Sequence, residues 1–150
     1  MKIGDIAPNF RIKDEMGNDF ELYDNLENNI LLIFYPKDDT PVCSTQLAEY
    51  NNNIEEFTKY EIKLVGINTN TVQSHNSFSK KLSLKFPLLT DGDKKVSKKY
   101  NALNFLGTNK RLLVLISKDR EVIWIDSTMS IIYIKSKEIL QKVQTLAVKK

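Results

Sequence analysis

The chain carries one cysteine, Cys43, at the end of the segment Pro36-Lys37-Asp38-Asp39-Thr40-Pro41-Val42-Cys43, between an apolar run and a stretch of helical spacing. Thr40 is a favoured N-cap residue and Pro41 suits the first helical position, so Cys43 is predicted at the third position of a helix. Backbone N–H groups in that turn have no intrahelical acceptor and the helix dipole is positive there. Both effects favour a thiolate over a thiol. The Thr40 hydroxyl lies one turn away, able to accept from a backbone N–H or to donate to an anion. A lone cysteine is more commonly a buried, inert residue. Position weighs against that reading, because open α/β sheets set reactive groups where a strand's carboxyl end leads into a helix.

A reactive thiolate also wants a cation, and there are only three arginines. Arg11 falls in an N-terminal hairpin and Arg120 in a turn, whereas Arg111 enters an apolar strand and is the best-placed partner on position alone. The single histidine, His75, lies on the apolar line of its helix between Val72 and Phe78, as a hydrogen-bonded core histidine would. Trp124 alternates with Ile123 and Ile125 and reads as packing. One cysteine and one histidine cannot supply the ligands of a usual zinc site, a Cys-x-x-Cys pair or an internal disulfide. The five glycines are too scattered for a nucleotide-phosphate loop, and no cofactor is implied.

The elements that must position these residues follow from the apolar pattern. Ile30 to Tyr35 is apolar throughout and stops at Pro36, as a strand buried on both faces should. Ile62 to Ile67 is a second such strand, and Leu112 to Ile116 with Val122 to Ile125 forms a hairpin. Phe10 to Lys13 and Asp19 to Leu22 flank a turn and read as an N-terminal hairpin. Leu47, Tyr50, Ile54 and Phe57 predict one long helix after Cys43. Val72, Phe78 and Leu82 mark another, Val96 and Tyr100 a short one, and Ile139, Val143 and Leu146 the last, with Ser136 as its N-cap. The order is that of an α/β protein with a mixed sheet, since the βαβ part pairs in parallel and the hairpin antiparallel. At 150 residues, without a linker or repeat, the chain is expected to form a single domain over residues 1–150.

The formal net charge of +3 resides in the C-terminal segment, where five lysines from Lys135 onward face one glutamate. The remainder has no basic excess, so no nucleic-acid partner is expected. The longest apolar run is far short of the ~20 residues that span a bilayer. With no signal-peptide pattern and a lone free thiol, a cytoplasmic setting and no membrane association are expected.

The stretch Tyr35 to Cys43 resembles the P-x-x-x-T-x-x-C active-site motif of the peroxiredoxins, most closely the bacterioferritin-comigratory-protein or Q-type subfamily. Gly4-Asp5-Ile6-Ala7-Pro8-Asn9-Phe10 is similar to that family's opening, and Phe86-Pro87-Leu88-Leu89-Thr90-Asp91 to its FPLLSD stretch. Arg111 falls where the family carries its active-site arginine. The resemblance implies a thioredoxin-like fold and a thiol peroxidase, with Cys43 attacking a hydroperoxide and passing to a sulfenic acid. It further implies that Thr40 and Arg111 donate to the sulfur and the peroxide oxygens, that the Cys43 N–H helps bind peroxide, and that Pro36 shields the sulfur from water.

The departures are informative. Ala48 stands where many members of the subfamily carry a resolving cysteine, so the chain reads as a one-cysteine form that needs an external thiol: thioredoxin, glutaredoxin or a small thiol. Gln46 and Val42 stand where glutamate and glycine are frequent, and Arg120 where a turn glycine is usual. A monomer, or a weak or disulfide-linked homodimer, is expected. The competing reading is a thioredoxin-fold redox sensor or chaperone-like module without efficient turnover.

Overall fold

In the computed structural model, which describes residues 1–148, seven strands and five α-helices alternate along the chain. They are β1 (Arg11–Lys13), β2 (Asp19–Glu21), β3 (Asn29–Phe34), α1 (Pro41–Asn52), α2 (Ile54–Lys59), β4 (Ile62–Asn68), α3 (Val72–Leu82), β5 (Leu88–Thr90), α4 (Lys95–Lys99), β6 (Arg111–Ile116), β7 (Val122–Thr128) and α5 (Ser136–Val148). The strands form one mixed sheet in the order β2-β1-β5-β4-β3-β6-β7, with β3, β4 and β5 parallel and the outer pairings antiparallel. This is the expected thioredoxin-like arrangement, and the N-terminal hairpin joins the sheet through β1 against β5.

The centre of the sheet is apolar on both faces because β3 is covered on both. Leu31 and Ile33 pack with Leu47, Phe57, Phe78 and Ile139 on the face that carries Cys43. Ile30, Leu32 and Phe34 pack with Phe10, Val96 and Tyr100 on the other. Each such side chain, wholly removed from water, contributes about 1.5–3 kcal/mol. Gly66 of β4 is required by a close approach: a Cβ there would lie 2.6 Å from Leu88 Cδ2 and 3.3 Å from the Tyr35 ring. Asp91, at the end of the Phe86–Asp91 stretch, accepts from the backbone N–H groups of Val96 and Ser97 at 3.2 and 2.7 Å and so fixes the start of α4.

Two local expectations are corrected. The helix predicted from Leu47 to Phe57 is two helices broken at Asn53, whose side-chain amide donates to the Glu49 carbonyl at 2.9 Å while its own N–H turns to Tyr50. The amide thus takes the acceptor that a continuous helix would use. Ser136 is the first residue of α5 rather than its cap; its N–H donates to Glu49 Oε1 at 2.7 Å, and its hydroxyl is buried without a partner among the described residues. The three-residue strand β5 was too short to give a periodic signal. Lys149 and Lys150, part of the expected lysine-rich face, lie outside the described residues, whereas Lys135, Lys137 and Lys142 are exposed. No described helix is long and apolar enough to cross a membrane.

Candidate active site

Cys43 occupies the first turn of α1, with Thr40 as N-cap and Pro41 at the first helical position. The Thr40 carbonyl accepts from Ser44 N–H at 2.8 Å, the first bond of the helix. The Thr40 hydroxyl makes no cap bond; it donates to the Lys37 carbonyl at 3.2 Å, inside its own loop. The first-turn N–H groups therefore have no side-chain acceptor and point out of the helix start, where an electronegative atom can receive them.

The sulfur is fully buried, because Cys43 heads the stripe Leu47 and Tyr50 and joins the core on that face. Arg111, at the first position of β6, reaches it from the neighbouring strand. Its Nη2 donates to Cys43 Sγ at 3.2 Å, its Nη1 to Gln46 Oε1 at 2.6 Å, and its Nε to the Ser130 carbonyl at 2.7 Å. Arg111 is 4% exposed, so its charge is felt at the sulfur with little screening by water. A fixed fork of donors suits a thiolate and the oxygens beyond it better than a mobile lysine could.

Gln46 and Tyr50 hold that arginine in register. Gln46 Nε2 donates to the Tyr50 phenol at 3.3 Å, and the phenol donates to the Ile134 carbonyl at 2.5 Å. Burial pushes the Tyr50 phenol well above its ordinary value, so it remains a donor at neutral pH. Ser130 and Ile134 both belong to the connection between β7 and α5, which thereby closes over the site. Cys43, Gln46 and Tyr50 follow one another at i, i+3 and i+7, so the partners of Arg111 were discoverable as the face of the cysteine; the carbonyl of Ser130 carried no sequence signal.

On the other side lies the loop from Tyr35 to Thr40. Pro36 is half-buried and Asp39 adopts a left-handed backbone with φ 58°. Asp38 is buried, and its carboxylate accepts from Tyr35, Asn68, Ser74 and His75. Burial alone would raise the Asp38 carboxyl, but the hydrogen bond and charge of His75, with the donors from Tyr35 and Ser74, outweigh it and hold the group below its ordinary value. His75 is a hydrogen-bonded core residue, as expected. Asp38, by contrast, has no feature in the sequence that sets it apart from the neighbouring Asp39. Arg11 and Arg120 are exposed and remote; Arg120, at φ 70° in the β6–β7 turn, lays its guanidinium 4.0 Å from the centre of the Tyr23 ring.

Over the outer face of the α1 start, Pro41, Val42 and Thr45 line an open, largely apolar cavity of about 310 Å³ with Ile131, Ile132 and Tyr133.

A cysteine at a helix start, gripped by an arginine from the adjacent strand of a thioredoxin-like sheet, defines the class of thiol-dependent peroxidases. Residues 3–125 match the AhpC/TSA family, and the chain belongs to that peroxiredoxin family. A bcp peroxiredoxin of Helicobacter pylori J99 is 38% identical over 102 residues, 68% of this chain and 67% of that one. The crystal structure of peroxidoxin BcpB from Mycobacterium tuberculosis superposes with a TM-score of 0.86 at 25% identity, covering 100% of this chain and 99% of that one. A yeast mitochondrial 1-Cys peroxiredoxin, described with a thiol-resolving mechanism via glutathione/thioredoxin systems, gives 0.89 at 25% identity, covering 99% and 78%. The protein is a thiol-dependent peroxidase of the one-cysteine form.

Proposed function

We propose that Cys43 is the attacking thiol and that Arg111, Thr40 and Pro36 serve it in distinct ways. The thiolate attacks the terminal oxygen of a hydroperoxide; the new S–O bond forms as the O–O bond breaks. Cys43 becomes a sulfenic acid, and the departing hydroxide or alkoxide takes a proton to leave as water or alcohol. Negative charge moves from sulfur to the leaving oxygen, so donors aimed along that path act most strongly in the transition state. Arg111 supplies one such donor, the Cys43 N–H a second, and the Thr40 hydroxyl a third when it exchanges the Lys37 carbonyl for a peroxide oxygen. Pro36 limits water at the sulfur. The observation that carries this reading is the 3.2 Å contact from Arg111 Nη2 to Cys43 Sγ.

Cys43 is the only thiol of the chain, so its sulfenic acid must be resolved from outside. One thiol condenses with it to a mixed disulfide and water, and a second releases Cys43 and leaves as the oxidised reductant. We read thioredoxin, glutaredoxin or a small thiol in that role; the yeast relative described with glutathione/thioredoxin systems supports it. The apolar cavity beside the α1 start favours organic hydroperoxides alongside hydrogen peroxide. Residues 1–150 are read as one domain, cytoplasmic, acting as a monomer or a weak or Cys43-linked homodimer.

The test is intact mass after one equivalent of hydrogen peroxide. One added oxygen at Cys43, or a Cys43-linked dimer, is expected, and Cys43→Ser consumes no peroxide. An unmodified wild-type chain defeats the assignment.

A further inference from the structure

The loop that delivers Cys43 is anchored by a buried acid five residues before it. Asp38 Oδ1 accepts from Tyr35 Oη at 2.6 Å and from Asn68 Nδ2 at 3.2 Å; Oδ2 accepts from Ser74 Oγ at 2.8 Å and lies 2.6 Å from His75 Nδ1. Its backbone N–H donates to Asn70 Oδ1 at 2.8 Å. One residue thus ties the loop to the ends of β3 and β4, to the turn after β4 and to α3.

His75 faces an acceptor at each ring nitrogen. Nε2 lies 2.9 Å from the Leu89 carbonyl of β5, and a carbonyl can only accept, so that nitrogen carries a proton. The Asp38 carboxylate faces Nδ1 in the same way, so the ring bridges the active-site loop and β5 between two acceptors. The charged and titratable groups facing His75 are Asp38 from the loop, Tyr35 through Asp38, and Glu15 from the β1–β2 turn, whose charge also acts on it. A buried pair of this kind adds little net stability over apolar packing, so its effect is to be sought in the geometry it fixes.

We propose that Asp38 and His75 form a positioning unit for peroxide reduction: the pair fixes the Pro36–Thr40 loop, and with it the Thr40 hydroxyl and the first-turn N–H groups, where the hydroperoxide must lie. The inference rests on Cys43 being the attacking thiol. Its action is on the placement of peroxide relative to the sulfur, a matter in which small displacements cost large factors in rate.

The test compares two reactions of the same sulfur in wild type and Asp38→Asn: sulfenic acid formation with hydrogen peroxide, and alkylation by iodoacetamide, which needs no peroxide-orienting groups. The peroxide rate is expected to fall about 10–100-fold while alkylation stays within about twofold. Equal loss of both rates, or an unchanged peroxide rate, overturns the proposal. His75 is the only histidine, so nitrogen-15 NMR of the labelled wild-type protein reads its ring without ambiguity. Both ring nitrogens are expected to be engaged in hydrogen bonds, and the signature of a free, solvent-facing imidazole overturns the proposal. Should Asp38→Asn not fold, Ser74→Ala removes one donor from the same carboxylate, and a selective loss of about threefold in the peroxide rate is expected; no loss overturns the proposal. A wild-type chain inert to peroxide overturns the assignment of Cys43 itself, which the variant comparison keeps distinct.

Discussion

Two polar networks meet at the start of α1, and they are built differently. The one around Arg111 ends on the sulfur, and it runs from there to Gln46, Tyr50 and two backbone carbonyls of the β7–α5 connection. That connection is exposed at Met129, Ile131 and Ile132. The one around Asp38 never touches the sulfur, and it draws on the side chain of Tyr35, just after β3, and on side chains from β4 and α3, most of them buried. In the proposed mechanism, the first network supplies charge at the reacting sulfur; its outer anchors sit on a solvent-facing segment. The second supplies a fixed frame on the interior side. A helix start that must be both electrostatically tuned and geometrically constant has divided these demands between its two flanks.

The strongest challenge to this division is Arg111→Ala. Loss of one transition-state donor predicts a fall of about 10²–10³-fold in the rate of peroxide attack, measured by stopped flow, with the fold retained by circular dichroism. A loss below about tenfold would mean that Arg111 is not the principal donor, and the contrast between the flanks would collapse. Gln46→Ala is expected to cost about tenfold, since Arg111 Nη1 then loses its acceptor in a buried setting. Rates equal to wild type would show that the Ser130 carbonyl alone holds the guanidinium. Tyr50→Phe removes the donor to Ile134; stability should fall by about 1 kcal/mol in urea denaturation, while the peroxide rate changes by less than about threefold.

The pH dependence separates the flanks more gently. The Asp38 carboxyl is held below its ordinary value of 3.8, so its contribution to stability is complete above that value and is lost as pH falls through the lower, folded value. Wild type should therefore lose urea resistance on acidification below about pH 4, and Asp38→Asn, weaker at pH 7, should show a flatter decline over the same range. Parallel declines would indicate that other carboxylates govern acid unfolding.

Much of this was legible from residue order. Thr40, Pro41 and Cys43 are local signals, so the helix start and the place of the cysteine in it follow from a few adjacent residues. Arg111 was identifiable because an arginine entering an all-apolar strand is conspicuous. What escaped was set by contacts between distant segments. Asp38 and His75 are 37 residues apart and meet only because β3 and β4 lie side by side in parallel. The break at Asn53 and the turn of the Thr40 hydroxyl toward the Lys37 carbonyl depend on which of two available acceptors or donors wins, a choice worth only about 1 kcal/mol and invisible in a periodic pattern.

The burial of Cys43 has a kinetic consequence. The thiol of a partner protein cannot meet a sulfur that presents no surface. Resolution by such a partner must wait until the first turn of α1 frays. Turnover then has a ceiling set by the chain's own opening, and adding more protein reductant beyond a certain level should leave the rate flat.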